Sequence, residues 1–236
     1  MLVRRRGSAQ LRNHAARGPA DVYLARPGHE YSRPARWRGC YEGRRNLGST
    51  GDDRYAYSAD SARRYGSLGI EGTTYEIGFD AVRELLGDIT RKTFLDFGCG
   101  AGRSTAFLRA LGADYVYGVD HDRNMLEAAR SREVGGATFL FADDAIPLPG
   151  ESVDGAVSMS VFVEIRTLSQ MARICAQVAR VLRPGSPFIV ESSNPMAFGH
   201  SFRSYRYPQA AESLRSGSRT PCIVTTSEGQ VVIQDT

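Results

Sequence analysis

The stretch TFLDFGCGAGRST, residues Thr93 to Thr105, decides the fold. It sets an aspartate and three glycines between an apolar run and the start of a helix. Phe94 and Leu95 read as the end of a buried strand, and Ser104 onward reads as helix. Gly98, Gly100 and Gly102 let the backbone bend sharply and approach something closely, where any Cβ would clash.

Outward from that stretch, strands and helices alternate. The first strand covers Thr93–Asp96, and its helix runs from Ser104 to Leu111 before Gly112. YVYGVD (Tyr115–Asp120) is a second strand, followed by a helix over Arg123–Arg132 with Met125, Leu126 and Ala129 facing inward. ATFLFADD holds the third strand, Gly155–Met159 the fourth and Pro187–Ser192 the fifth. Between the last two lies a long helix, Leu168–Leu182, that Pro184-Gly185 closes. Upstream, short helices are expected over Ser58–Tyr65 and over Tyr75–Leu86, the latter with Ile77, Ala81, Val82, Leu85 and Leu86 on its inner face. This alternation predicts an α/β fold: a Rossmann-like, doubly wound, mainly parallel sheet with helices on both faces. CIVTT and QVVIQD (Cys222–Thr226 and Gln230–Asp235), joined by SEG, read as a β-hairpin.

Composition narrows the class. The 236 residues, 42% of them hydrophobic, suffice for one sizeable core. No apolar run is long enough to span a membrane, and no apolar segment of signal-peptide type follows the opening arginines. The four cysteines (40, 99, 175 and 222) show no paired spacing, which argues against zinc and for a reducing, cytoplasmic setting. No metal site is expected. Residues 1–45 hold 11 arginines against three acids, so a basic arm precedes a mildly acidic body. The organisation expected is a poorly ordered arm over 1–50, a ligand-binding core over 51–192 and a C-terminal region over 193–236 that carries the hairpin. Lys92 is the sole lysine beside 29 arginines, so arginine enrichment here carries little weight as a sign of nucleic-acid binding.

In parallel sheets of this kind the ligand crevice opens at the carboxyl ends of the strands. Asp96, Asp120 and the pair Asp143/Asp144 all fall at such ends. Asp120 is placed to accept hydrogen bonds from ribose hydroxyls, and Asp143 or Asp144 to accept one from the amine of adenine, with Ala145 and Ile146 against the ring. Asp96 discriminates between ligands. A carboxylate directly ahead of the glycines repels a pyrophosphate but welcomes a cation, and Arg103 stands where a dinucleotide fingerprint has its third glycine. A nucleoside with a cationic end meets these demands, and S-adenosylmethionine is such a molecule.

Four segments then carry a resemblance: FLDFGCGAGRST, VYGVDHDRNMLEAA, FLFADDAIPLPGESVDGAVSMSVFVEI and ARVLRPGSPFIVES, which together span 93–192. In order and spacing the chain resembles the class I S-adenosylmethionine-dependent methyltransferases, especially the small-molecule group. The resemblance implies that Asp96 and the turn Gly98-Cys99-Gly100-Ala101-Gly102 hold the methionine end of the cofactor. It also implies that Asp120 takes the ribose, that His121 and Met125 flank the adenosine, and that Ser160–Phe162 pass beneath the reacting methyl group. Two departures stand out. The family sets its adenine-edge acid five residues before the proline that matches Pro147, where this chain has Ala142. The family's sheet also ends in two further strands, in place of which only the hairpin is seen here, so a truncated chain is the expectation.

The activity implied is methyl transfer to a small-molecule acceptor by in-line displacement. An RNA or protein acceptor, a non-catalytic cofactor-binding relative and a nicotinamide dehydrogenase are the alternatives. No residue is assigned as catalytic. Glu164, His200 and Tyr205 are candidates for a general base, needed only where the acceptor is protonated.

Overall fold

The computed structural model describes residues 56–215 and 217–236, so the basic arm and Cys40 lie outside the described residues. Two short helices come first, α1 (Ala59–Gly66) and α2 (Glu76–Leu86). Then follow β1 (Thr93–Phe97), α3 (Arg103–Ala110), β2 (Tyr115–Asp120), α4 (Arg123–Arg130) and β3 (Ala137–Phe141). The unit continues through β4 (Gly155–Met159), α5 (Leu168–Val181) and β5 (Phe188–Glu191). All five strands pair in parallel, in the order β3-β2-β1-β4-β5. The order reverses between β1 and β4, and the crevice at that reversal opens beside the turn after β1.

Local sequence explains the helix starts. Asp122 caps α4 by accepting from the Met125 N–H at 3.0 Å. Thr167 and Gln170 form a reciprocal capping box on α5. Strand parity assigns the faces. Phe94, Val116 and Val157 point to one side and pack with Phe79 and Val82 of α2 and Phe107 and Leu108 of α3. Phe139 stands on that side too and packs on Leu126 and Ala129 of α4. Leu95, Val119 and Ala156 point the other way, onto Val178 and Val181 of α5.

The inner face of α2 differs from the expectation. Phe79 and Val82 are buried, whereas Ile77 is 71% exposed and Ala81 and Leu85 are also outside. The helix carries two overlapping apolar stripes, and the one bearing the large ring of Phe79, set edge-on to Phe107, takes the core.

The hairpin is present as β7 (Thr220–Thr226) and β8 (Gly229–Asp235). It does not extend the parallel sheet. With a two-residue strand, β6 (Tyr205–Arg206), it makes a separate antiparallel sheet in the order β6-β7-β8. Cys222, Val224, Val231 and Ile233 point inward from it, into a second core with Tyr57, Ala62, Leu68, Ala101 and Met125. The hairpin therefore packs on α1 and on the glycine-turn side of α4. Thr236 reinforces this by bonding through its hydroxyl to the Val163 carbonyl at 2.8 Å. Among the described residues, no helix is long and apolar enough to cross a membrane.

Candidate functional site

Asp96 sits at the end of β1 with no exposure at all. Its Oδ2 accepts from the Ser104 hydroxyl at 2.7 Å and the Thr105 hydroxyl at 2.6 Å, both in the first turn of α3. Its Oδ1 is buried and has no hydrogen-bond partner among the described residues. Burial pushes the carboxyl up to about 6, against the pull of the two hydroxyls, so at neutral pH it carries charge that the protein leaves half-compensated. An orphaned buried carboxylate oxygen calls for a donor, best a cationic one.

The turn that follows is unsuited to phosphate. The N–H groups of Gly98 and Cys99 both donate to the Val119 carbonyl, at 2.8 and 3.0 Å. The Gly100 N–H donates to Asp120 Oδ2 at 2.8 Å, and that of Gly102 to the Cys99 carbonyl at 2.9 Å. A phosphate cradle needs such donors aimed at the ligand, and here they face the protein. The three glycines have separate roles. A Cβ on Gly98 would collide with the Val161 side chain, which ties the turn to the loop after β4. A Cβ on Gly102 would come within 3.1 Å of Phe139 and 3.2 Å of Ala129, so this position serves packing of α3 on α4. Gly100, at φ +50°, faces open space, its nearest neighbour being Met125 Sδ at 4.0 Å. The Cys99 side chain is buried and packs with Leu126, Ala129 and Phe139, so only its backbone belongs to the turn.

Asp120 is fixed by that same turn. Its Oδ1 accepts from the Asp122 N–H at 2.8 Å and lies 3.6 Å from His121 Nδ1. Burial raises its carboxyl, opposed by the Asp122 amide, by His121 and by the Gly100 amide. Each oxygen retains a lone pair for a ribose hydroxyl. Met125 is buried beneath the turn. Asp143, Asp144 and Ala145 are exposed just past β3, and Ile146 behind them is buried. The Ala142 N–H donates to the Asp120 carbonyl at 2.9 Å, which brings that segment beside the end of β2. Ser160 directly follows β4, at φ +57°, a strained conformation for a non-glycine residue. It is pinned there by two bonds to Glu191: its N–H to the carbonyl at 3.0 Å and its hydroxyl to Oε2 at 2.8 Å.

Further acids close round this end of the sheet. Glu164, in the short 3-10 helix Phe162–Glu164, accepts from the Tyr57 hydroxyl at 3.1 Å. Burial, and next the Asp235 charge, lift its carboxyl to about 8. Asp235 is buried, accepts from the Tyr207 hydroxyl and is lifted to about 6, chiefly by burial. Of the three candidate bases, Glu164 alone joins this group. His200 is exposed, and Tyr205 lies in an aromatic stack with Tyr75, Phe202 and Tyr207. Sequence reasoning missed Tyr57, Asp122, Asn124, Glu191 and Asp235. Tyr57 is held across the start of α4, its N–H on Asp122 Oδ2 at 2.7 Å and its carbonyl under Asn124 at 2.6 Å. An Asp two residues after a strand-end acid and at a helix start is a capping signal that was available for Asp122.

An orphaned acid, an outward-facing bare position and inward-facing amides together fit a nucleoside whose far end is cationic. Residues 95–190 match the family model described as a methyltransferase domain. That segment is a methyltransferase domain. The methyltransferase domain is 44% identical over 94 residues to a ribosomal protein L11 methyltransferase of Dechloromonas aromatica (strain RCB), a stretch covering 39% of this chain and 29% of that protein. Over 69 residues it is 46% identical to a trans-aconitate 2-methyltransferase of Rhizobium rhizogenes (strain K84 / ATCC BAA-868), covering 29% of this chain and 27% of that one. The chain thus spans less than a third of the length of these curated relatives. A crystal structure of a SAM-dependent methyltransferase from Aquifex aeolicus superposes with a TM-score of 0.51 at 17% identity, over 76% of this chain and 98% of that one, which shows a shared fold.

Proposed function

We propose that this protein transfers a methyl group from S-adenosylmethionine to a small-molecule acceptor. The observation that carries the reading is Asp96: a fully buried carboxylate, half-satisfied by α3, ahead of a turn in which the N–H groups of Gly98, Cys99, Gly100 and Gly102 bond to the protein. In this reading Asp96 receives the ammonium of the cofactor and Asp120 its ribose, with His121 and Met125 about the adenosine. Asp143 or Asp144, with Ala145, lies at the adenine edge.

When bound, the cofactor supplies a methyl carbon on a sulfonium, which is electrophilic enough that alignment and exclusion of water provide much of the acceleration. The loop from Ser160 to Phe162 is held rigid by Glu191 and pressed against Gly98 through Val161, which suits it to fix the floor of the reaction site. Glu164, whose proton comes and goes near pH 8, is suited to take a proton from a hydroxyl or ammonium acceptor. The relative named for trans-aconitate favours a small acceptor, and the relative named for ribosomal protein L11 favours a protein one. The reduced Cys99, Cys175 and Cys222 fit a cytoplasmic setting.

Label from methyl-tritiated S-adenosylmethionine, incubated with the protein and a cell extract, separates these readings. Acid-soluble, non-macromolecular product is expected. Label confined to precipitated protein or RNA would move the acceptor to a macromolecule.

A further inference from the structure

The inner face of the hairpin carries a second buried acid with an unmet oxygen. Asp235 follows Val231 and Ile233 in strand parity, so its side chain turns inward with theirs, and it is 2% exposed. Its Oδ2 accepts from the Tyr207 hydroxyl. Its Oδ1 has no hydrogen-bond partner among the described residues, nor has Thr220 Oγ1, buried opposite it in the ladder of β7 and β8. The Thr236 hydroxyl holds this strand end against the short helix that carries Glu164. Two carboxylates stand near Asp235: after burial, the Asp235 charge lifts Glu164 most, and Glu191 adds to the lift on Asp235 itself. None of the three acids forms an ion pair among the described residues.

Negative charge gathered in this way calls for a cation. Among the described residues no group of three His, Cys, Asp or Glu side chains is arranged to hold a metal ion, which favours an organic cation. The walls favour one too. Tyr205 lies ring to ring with Tyr75 and with Tyr207, each pair 5.5 Å between centres, and Tyr57 sets its hydroxyl on Glu164 at 3.1 Å. Aromatic faces and carboxylates together attract an ammonium, which brings three donors to oxygens such as Asp235 Oδ1. Glu164 and Glu191 are half-buried, so the corner is approachable from their side. It adjoins the candidate cofactor residues as well, because Tyr57 bonds through its N–H to Asp122 and Glu191 holds Ser160.

We propose that Asp235, Glu164 and Glu191 form the acceptor site and that the acceptor is a primary or secondary amine, bound as its ammonium. This rests on the methyl-transfer reading above. Asp235 and Glu191 hold the nitrogen, and Glu164 takes one of its N–H protons. The freed lone pair forms the new N–C bond while the electrons of the broken S–C bond stay on sulfur. The methylated product is again an ammonium, so the acceptor nitrogen carries the same charge before and after.

Benzylamine, benzyl alcohol and benzoate share a ring and nearly a size, and they differ in charge at neutral pH. In calorimetric titration of the full chain saturated with S-adenosylhomocysteine, benzylamine should bind at least about tenfold more tightly than the alcohol, and benzoate should not bind. Asp235→Asn keeps the shape of the side chain and should cut that preference by about threefold or more. The preference is a ratio within one variant, so a loss of folded protein cancels. Equal affinities, a preference for the alcohol or for benzoate, or no binding of any of the three overturns the proposal, as does an unchanged preference in Asp235→Asn. A chain that does not take up S-adenosylhomocysteine refutes the methyl-transfer reading and this proposal with it. One that takes it up and shows no preference for the amine refutes this proposal alone.

Discussion

The backbone N–H of Gly100 donates to Asp120 Oδ2 across 2.8 Å, so the acid at the end of β2 shapes the turn at the end of β1. The pairing is made possible by register. Phe97 lies opposite Val119, and one further step brings the turn over Asp120. Asp120 is therefore both a candidate ribose acceptor and a brace for the turn beside it.

It follows that Asp120→Ala has two effects. Loss of the carboxylate leaves the Gly100 and Asp122 N–H groups without their partner, and stability should drop by about 1–3 kcal/mol in urea titration. Affinity for S-adenosylhomocysteine should fall as well, by more than tenfold in calorimetry. A variant destabilised as expected but with unchanged affinity would leave Asp120 as a brace alone.

The glycines of the turn separate in the same way. Gly100→Ala places a Cβ into open space near Met125, so binding should suffer most, with about 1–2 kcal/mol lost from stability because φ is positive. Gly102→Ala drives a Cβ towards Phe139 and Ala129, and should lower the melting temperature while the folded fraction still binds. Paired thermal melts and titrations of the two variants check this. The opposite assignment would place the ligand elsewhere on the turn.

Stability should fall as pH rises. Asp96 and Asp235 are held at about 6 and Glu164 at about 8, each above the ordinary value of a carboxyl in an unfolded chain. Between those ordinary values and the folded ones the folded protein binds more protons than the unfolded chain, so raising the pH favours unfolding. The stability is fully present below about pH 4 and is lost progressively up to about pH 8. Urea midpoints measured from pH 5 to 9 should decline, and Glu164→Gln should flatten the part of the decline above pH 6. A flat wild-type profile would mean that these carboxyls are not buried as described.

Most of the parallel-sheet architecture was legible because its elements are short and strongly patterned. Tyr115–Asp120 and Gly155–Met159 have the bounds read from sequence, and the other strands and helices differ by a residue or two at their ends. The inner face of α2 was misread, since periodicity alone does not choose between two apolar stripes on one helix. β6 was missed because two residues carry no period. At the site, the acids at strand ends were legible, while their partners were not. Tyr57 meets Asp122 across 65 positions of chain, and Asp235 reaches the site only because the hairpin forms its own sheet on α1. No local pattern encodes such contacts.

The central claim is that a buried carboxylate ahead of an inward-bonded turn selects a cationic nucleoside and rejects phosphate. Calorimetric titration of the full chain with S-adenosylmethionine, NAD and ATP under identical conditions tests it most directly. The account predicts saturable binding of S-adenosylmethionine that is sharply weakened in Asp96→Asn, and no binding of the two phosphate-bearing ligands. Tight binding of NAD or ATP, with S-adenosylmethionine ignored, would contradict it.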